Sequence, residues 1–87
     1  YVDSLVASYP QFATRISLGN SIQNRSIFAL RLTSPVPPRG SSTRKPVVLI
    51  NSIQHAREWI SLTSTLFVAT ELLSGYATDP IDRRILD

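Results

Sequence analysis

A short apolar segment, Val47 to Ile50, constrains the fold of this 87-residue chain more than any other part of its sequence. All its side chains are aliphatic and most are β-branched, which is typical of a strand that is covered on both faces. A helical pattern follows, because apolar residues recur at intervals of three and four between Glu58 and Gly75. A doubly covered strand followed by a largely buried helix predicts an α/β fold.

The residues before this segment predict a helix and a β-hairpin. Between Tyr1 and Phe12 the apolar positions suit a short amphipathic helix, which Pro10 ends. Two β-prone runs, 16–18 and 27–32, are separated by turn-forming residues. This pattern is typical of an antiparallel hairpin with a long connection.

Two further segments complete the predicted order of elements. Residues 34–46 hold four of the six prolines and predict an exposed loop. Gly75 is placed to follow the end of the long helix, and Thr78-Asp79-Pro80 supplies a cap and a first-turn proline for a last helix, Ile81 to Asp87. The order is therefore helix, β-hairpin, buried strand, helix and helix, and we expect further strands of the sheet to come from a longer protein.

Charge and composition argue against several classes of function. The net charge of +3 comes from nine basic and six acidic residues, and the basic residues are scattered instead of clustered as in a nucleic-acid-binding surface. Without cysteine, the chain has no thiol nucleophile, thiolate metal site or disulfide. No apolar run approaches the roughly 20 residues that a membrane helix needs. We therefore expect neither nucleic acid nor a membrane as a partner.

The segment between the predicted strand and the long helix, residues 51–59, holds the side chains suited to chemistry. The only histidine, His55, and one of the two glutamates, Glu58, lie three positions apart, and a helical turn brings such residues to the same side. Imidazole and carboxylate together suit Zn²⁺. Two other interpretations stay open at this point: Glu58 as a favourable anion at a helix N-terminus, and His55 as an ordinary loop residue.

A longer string around this pair, His-Ala-Arg-Glu-Trp-Ile-Ser, resembles the His-x-Arg-Glu-Trp-Ile-[Ser/Thr] signature of the carboxypeptidase A/B family of zinc metallocarboxypeptidases. The signature carries the first two zinc ligands of that family. Similar residues precede it in the family's order, so the resemblance covers essentially all of the chain: Tyr9-Pro10, Ile16-Ser17-Leu18-Gly19, Arg25-Ser26-Ile27 and Leu30-Arg31-Leu32. The chain departs from the usual pattern at Ser26, where proline is common, and at Gln54, where a small or apolar residue is frequent.

The resemblance implies roles for three residues of this string. His55 and Glu58 bind zinc, as two ligands of the His₂Glu set that carboxypeptidase A exemplifies. Arg57 contacts the peptide substrate through its carbonyls or carboxylate. Without the resemblance, the preferred explanation of Arg57 is a solvated loop residue or an ion-pair partner of Glu58. Trp59 is interpreted as a core residue.

The resemblance also implies the kind of protein from which the chain comes. Residues 1–87 are the incomplete N-terminal portion of a mixed-sheet, three-layer catalytic domain. The complete protein is expected to be a monomer that hydrolyses C-terminal amino acids from peptides and proteins, with Zn²⁺ as cofactor. In the family pattern the third zinc ligand and the general base lie beyond Asp87, so no catalytic residue is assigned in this chain. We expect the 87-residue chain alone to be inactive, to bind zinc poorly and to be unstable.

Two alternatives for function and one candidate modification complete the predictions. A family member that has lost catalysis would serve as a binding or regulatory module, and a structural domain would use the strand and helix as plain core. Asn24-Arg25-Ser26 is an N-glycosylation sequon in the predicted hairpin turn, although such triplets are also frequent by chance. A sequon at Asn24 suits a secreted or vacuolar protein, which is the location that we expect.

Overall fold

The computed structural model describes residues 1–38, 40 and 44–87, and these form two compact units, Tyr1–Pro35 and Val36–Asp87. Within them the chain has three helices and one two-stranded antiparallel sheet. This combination agrees with the predicted α/β class.

The first unit consists of a helix followed by a hairpin. Helix α1 is Val2–Ser8, and strands β1, Ala13–Asn20, and β2, Ser26–Leu32, pair antiparallel. The ladder is irregular between Ser17 and Gly19, where Gly19 has a φ of 110° that residues with a side chain rarely adopt. The predicted helix and hairpin are both confirmed.

Side-chain contacts inside the first unit join the helix to the hairpin. Leu5 of α1 and Ala13 of β1 are buried. The guanidinium of Arg15 lies 3.2 Å from the carboxylate of Asp3, and the same group lies 4.0 Å from the centre of the Phe28 ring. A small apolar core and a cation–π contact therefore hold this unit together.

The second unit contains two helices, α2 at Trp59–Gly75 and α3 at Pro80–Leu86. Asp79 caps α3, because its carboxylate accepts a hydrogen bond from a backbone N–H in the first turn at 2.7 Å. The predicted cap and the proline at the start of α3 are confirmed. Gly75 ends α2 from inside the helix and does not follow it, and a Cβ at this position would collide with the carboxylate of Asp82.

The segment predicted as a buried strand, residues 47–50, forms no strand. Its side chains are 56% to 89% exposed, so the prediction is wrong for this chain. A strand needs a neighbouring strand to take up its backbone hydrogen bonds. The two described strands both belong to the first unit and pair with each other. The apolar pattern indicates a tendency to be buried, but a strand also needs a neighbouring strand to pair with.

The long helix α2 is less buried than predicted. Among its residues, Ala69 and Leu73 are buried, whereas Trp59, Ile60 and Phe67 are 77%, 76% and 63% exposed. Helix α3 is seven residues long and packs near the C-terminal end of α2, so it covers only that end. The prediction of a largely buried helix is therefore wrong for this chain, although its position in the sequence is confirmed.

The predicted loop over residues 34–46 contains no helix or strand among its described residues, and residues 39 and 41–43 lie outside them. Ser34 departs from the expected exposure, since it is only 4% exposed.

None of the helices in the described part of the chain combines the length and apolar character needed to cross a membrane.

Candidate metal centre

A tight turn immediately before α2 positions the predicted ligand pair. The backbone N–H of Glu58 donates a hydrogen bond to the carbonyl oxygen of His55 at 3.0 Å. Glu58 then serves as the N-cap residue of α2, with a φ of −90°. This turn brings two residues three positions apart to the same side of the backbone, as the spacing predicts.

The side chains of His55 and Glu58 meet in this turn. The Nδ1 atom of His55 lies 3.0 Å from Oε1 of Glu58, and the backbone N–H of His55 donates a longer hydrogen bond, at 3.3 Å, to Oε2. Both side chains remain accessible, with 73% of the imidazole and 44% of the carboxylate exposed. The structure therefore brings the two predicted ligands together where an ion can reach them.

The donor atoms of this pair fit zinc in kind and in spacing. Imidazole nitrogen and carboxylate oxygen are both common zinc donors in proteins. Two donors of one tetrahedral zinc ion, each about 2.0 to 2.2 Å from the metal, lie about 3.4 Å from each other. The observed separation of 3.0 Å is a few tenths of an ångström shorter. The same distance is that of a hydrogen bond between the two side chains, so they must exchange this contact for the ion before both can bind it.

A third protein ligand is not brought to the pair by the described residues. Within them, no group of three or more histidine, cysteine, aspartate or glutamate side chains is arranged to hold a metal. The other glutamate, Glu71, lies thirteen positions after Glu58 on α2, which is about 20 Å along a helix axis. The predicted pair corresponds to one histidine and the glutamate of a His₂Glu set.

Two neighbours in the motif were assigned other roles from the sequence. Arg57 is exposed in the turn between the two predicted ligands, so its guanidinium is accessible from solvent. Trp59 is exposed and does not lie in the core, which corrects its interpretation as a core residue. Its indole N–H donates a hydrogen bond to the carbonyl oxygen of Ala56 at 2.7 Å, so it fastens the turn from the outside.

Sequence reasoning missed two residues that connect the preceding loop to α2. The backbone N–H of Ile53 donates a hydrogen bond to Oγ of Ser61 at 3.0 Å, and this hydroxyl donates to the carbonyl oxygen of Glu58 at 2.6 Å. Serine in the first turn of a helix often bonds to nearby backbone, and Ser61 is the last residue of the recognised string. The position of Ser61 in that string could have indicated a role near the pair, whereas nothing in the sequence indicates the hydrogen bond of Ile53.

The sequon lies in the first unit, in the connection between β1 and β2. Asn24 has a φ of 59°, a left-handed conformation that asparagine tolerates better than most residues. It is exposed, and its side-chain oxygen accepts a hydrogen bond from the amide of Asn20 at 2.8 Å. The candidate glycosylation site is thus on an exposed turn, as predicted.

Comparison with known proteins identifies relatives over the whole chain. A sequence model of the zinc carboxypeptidase family matches residues 1–87. The chain is 30% identical to carboxypeptidase A1 of Rattus norvegicus and 32% identical to carboxypeptidase A1 of Bos taurus, each over all of this chain and 19% of the relative. It is 27% identical to carboxypeptidase A4 of Mus musculus, over 98% of this chain and 19% of the relative.

These matches cover nearly all of this chain but only a small part of each relative. The chain spans about a fifth of the length of the curated relatives that it matches, 19% in each of these three. No solved structure matches it at a significant level.

Proposed function

Because this chain belongs to the zinc carboxypeptidase family, we propose that the complete protein removes C-terminal amino acids from peptides and proteins in a zinc-dependent hydrolysis. The observation that supports this proposal is the convergence of His55 and Glu58 on one accessible point, with Nδ1 and Oε1 3.0 Å apart. The relatives that match across the whole chain are carboxypeptidases by name, which favours the same reaction here.

Three residues of this chain contribute to the proposed reaction. His55 and Glu58 hold the zinc ion through a nitrogen and a carboxylate oxygen. When bound, zinc supplies Lewis-acid chemistry, by polarising a peptide carbonyl and making water more acidic. Arg57 lies between the two ligands and is exposed, so its planar guanidinium binds a carbonyl or carboxylate of the substrate.

The remaining catalytic groups are proposed to come from outside these 87 residues. The third zinc ligand and the general base belong to the same domain in the complete protein, which acts as a monomer. Two ligands hold zinc weakly, so the 87-residue chain by itself is proposed to be inactive. Release of a C-terminal amino acid from a peptide by the pure 87-residue chain would contradict this point.

The test of the proposed reaction is the release of C-terminal amino acids by the purified full-length protein, before and after substitution of the ligands. We expect His55→Ala and Glu58→Gln each to lower kcat/KM by more than the roughly hundredfold loss that marks the upper range for residues around a metal ligand. Glu71→Gln is the matched control, because it makes the same chemical change on the same helix away from the pair, and it should leave kcat/KM within about twofold.

Each other result has a defined meaning. Hydrolysis that persists in both ligand variants would contradict the proposal. Zinc binding without hydrolysis of any peptide would favour the alternative, a binding or regulatory module that has lost catalysis.

Arg57→Lys should raise KM more than it lowers kcat, since a lysine keeps the charge but loses the two-pronged contact.

We also propose that Asn24 carries an N-linked glycan and that the protein is secreted or vacuolar. Its exposure in the hairpin turn supports access by the modifying enzyme. After expression in a eukaryotic secretory host, the protein should lose mass on treatment with a glycosidase, and Asn24→Gln and Ser26→Ala should abolish that loss. Asn20→Gln, which leaves the sequon intact, should not. Equal masses before and after treatment would contradict the proposal.

A further inference from the structure

We propose that Ser61 is a positioning residue for the His55–Glu58 pair, whose hydroxyl connects the loop before His55 to the backbone of Glu58 and so holds the two ligands at one point. This inference rests on the proposed zinc site. It assigns to the last residue of the recognised string a role that is distinct from binding the metal or the substrate.

The first observation is an unusual backbone conformation at Ile53, two residues before His55. Ile53 has a φ of 53°, in the left-handed region where a β-branched residue is a clear outlier. Such conformations persist only where the surrounding structure enforces them, and they cluster at functional sites. Some contact must therefore hold this part of the loop.

The second observation identifies the contact. Oγ of Ser61 accepts a hydrogen bond from the backbone N–H of Ile53 at 3.0 Å and donates one to the carbonyl oxygen of Glu58 at 2.6 Å. A hydroxyl has one donor and can accept at the same time, so both bonds form together. His55 lies between the two anchored positions. The carbonyl oxygen of Glu58 also accepts a hydrogen bond from the backbone N–H of Ser61 at 3.0 Å, so the distinct contribution of the hydroxyl is its bond to Ile53.

A simpler explanation of the hydrogen bond from Ser61 to Glu58 is that serine hydroxyls in helices often donate to a carbonyl oxygen one turn earlier. Ser64 on the same helix does this, donating to the carbonyl oxygen of Ile60 at 2.9 Å, and among the described residues its hydrogen bond stays within α2. Ser61 differs, because it also accepts a hydrogen bond from a residue eight positions earlier, outside the helix. Ser64 is therefore a matched control for loss of a helical hydroxyl.

The test measures the zinc affinity of the full-length protein by competition with a chromogenic chelator. Loss of a residue that orients a ligand typically weakens metal binding 10-fold to 100-fold. We expect Ser61→Ala to weaken zinc binding about tenfold. Ser64→Ala should bind zinc within about twofold of the wild type. Ser61→Thr, which keeps the hydroxyl, should restore most of the affinity. Wild-type affinity in Ser61→Ala, or an equal loss in Ser64→Ala, would overturn the proposal.

A second pair of variants keeps the test decisive if Ser61→Ala does not fold. Ser61→Thr and Ser61→Val have nearly the same shape and differ in the hydroxyl, so the threonine variant should bind zinc more tightly, and equal affinities would overturn the proposal. Hydrogen exchange of the Ile53 amide should be faster in the valine variant than in the threonine variant, and equal rates would contradict the proposed contact.

The failure of this inference is separable from failure of the proposed zinc site. His55→Ala measured in the same assay reports on the site itself. If His55→Ala weakens zinc binding while Ser61→Ala and Ser61→Val do not, the positioning role is wrong and the site stands. If none of these variants changes the affinity, both are wrong.

Discussion

The two units of this chain differ in whether their own residues supply the partners that their strands and apolar segments need. In the first unit, Tyr1–Pro35, every strand has a partner, and Leu5 of the helix and Ala13 of the hairpin are buried. In the second unit, Val36–Asp87, the apolar segment 47–50 is exposed and has no partner strand among the described residues. Local contacts are enough to build a hairpin and its covering helix. A central strand depends on residues far away in sequence.

The largest effect is expected from shortening a buried leucine in the core of the first unit, compared with the same change in the exposed segment of the second unit. In the 87-residue chain, Leu5→Ala should cost about 2 to 5 kcal/mol, because it leaves a cavity in the core of the first unit. Leu49→Ala, at a position that is 83% exposed, should change the free energy of unfolding by no more than about 0.5 kcal/mol. Urea unfolding followed by circular dichroism measures both.

The same two substitutions in the full-length protein test whether the segment 47–50 is buried there. If the segment 47–50 becomes a covered strand there, Leu49→Ala should then cost as much as Leu5→Ala. A small effect of Leu49→Ala in both proteins would show that the segment is not a core strand in either.

A smaller effect is expected from the cap of the last helix in the second unit. Asp79→Ala should destabilise α3 by about 1 kcal/mol, since its carboxylate accepts the 2.7 Å hydrogen bond from the first turn. Asp79→Asn is the control, because asparagine caps equally well. Faster hydrogen exchange of the α3 amides in the alanine variant alone is the expected result, and equal rates in both variants would contradict it.

The smallest effect is expected at the surface contact of the first unit. Arg15→Met should cost at most about 1 kcal/mol, because the ion pair with Asp3 is exposed and screened, and the contact with Phe28 adds only a modest term. Arg31→Met, on the neighbouring strand, serves as the control for loss of a strand arginine. A loss of several kcal/mol from Arg15→Met would mean that this contact, and not the apolar core, holds the unit together.

Features encoded by neighbouring residues were predictable from the sequence. Pro10 follows the end of α1, and Asp79 with Pro80 starts α3, because caps and prolines act on the backbone next to them. The spacing of His55 and Glu58 predicted their contact for the same reason. The assignment to the zinc carboxypeptidase family came from the resemblance of the string 55–61, and the family match over the whole chain confirms it.

Features that depend on distant partners were not predictable in the same way. The segment 47–50 has the composition of a buried strand, yet no described residue pairs with it. Trp59 has the side chain of a core residue, but its indole reaches the turn instead. The left-handed backbone of Ile53 contradicts the local preference of isoleucine, so only the contact with Ser61 in the folded chain shows how it is held.

We propose that His55 and Glu58 together bind the catalytic zinc ion. The most direct measurement is a zinc titration of the full-length protein, from which metal has been removed, beside its His55→Ala, Glu58→Gln and Glu71→Gln variants. We expect one tight site in the wild type and in Glu71→Gln, and a loss of affinity of more than about a hundredfold in each of the other two. Unchanged zinc affinity in His55→Ala and Glu58→Gln would contradict it.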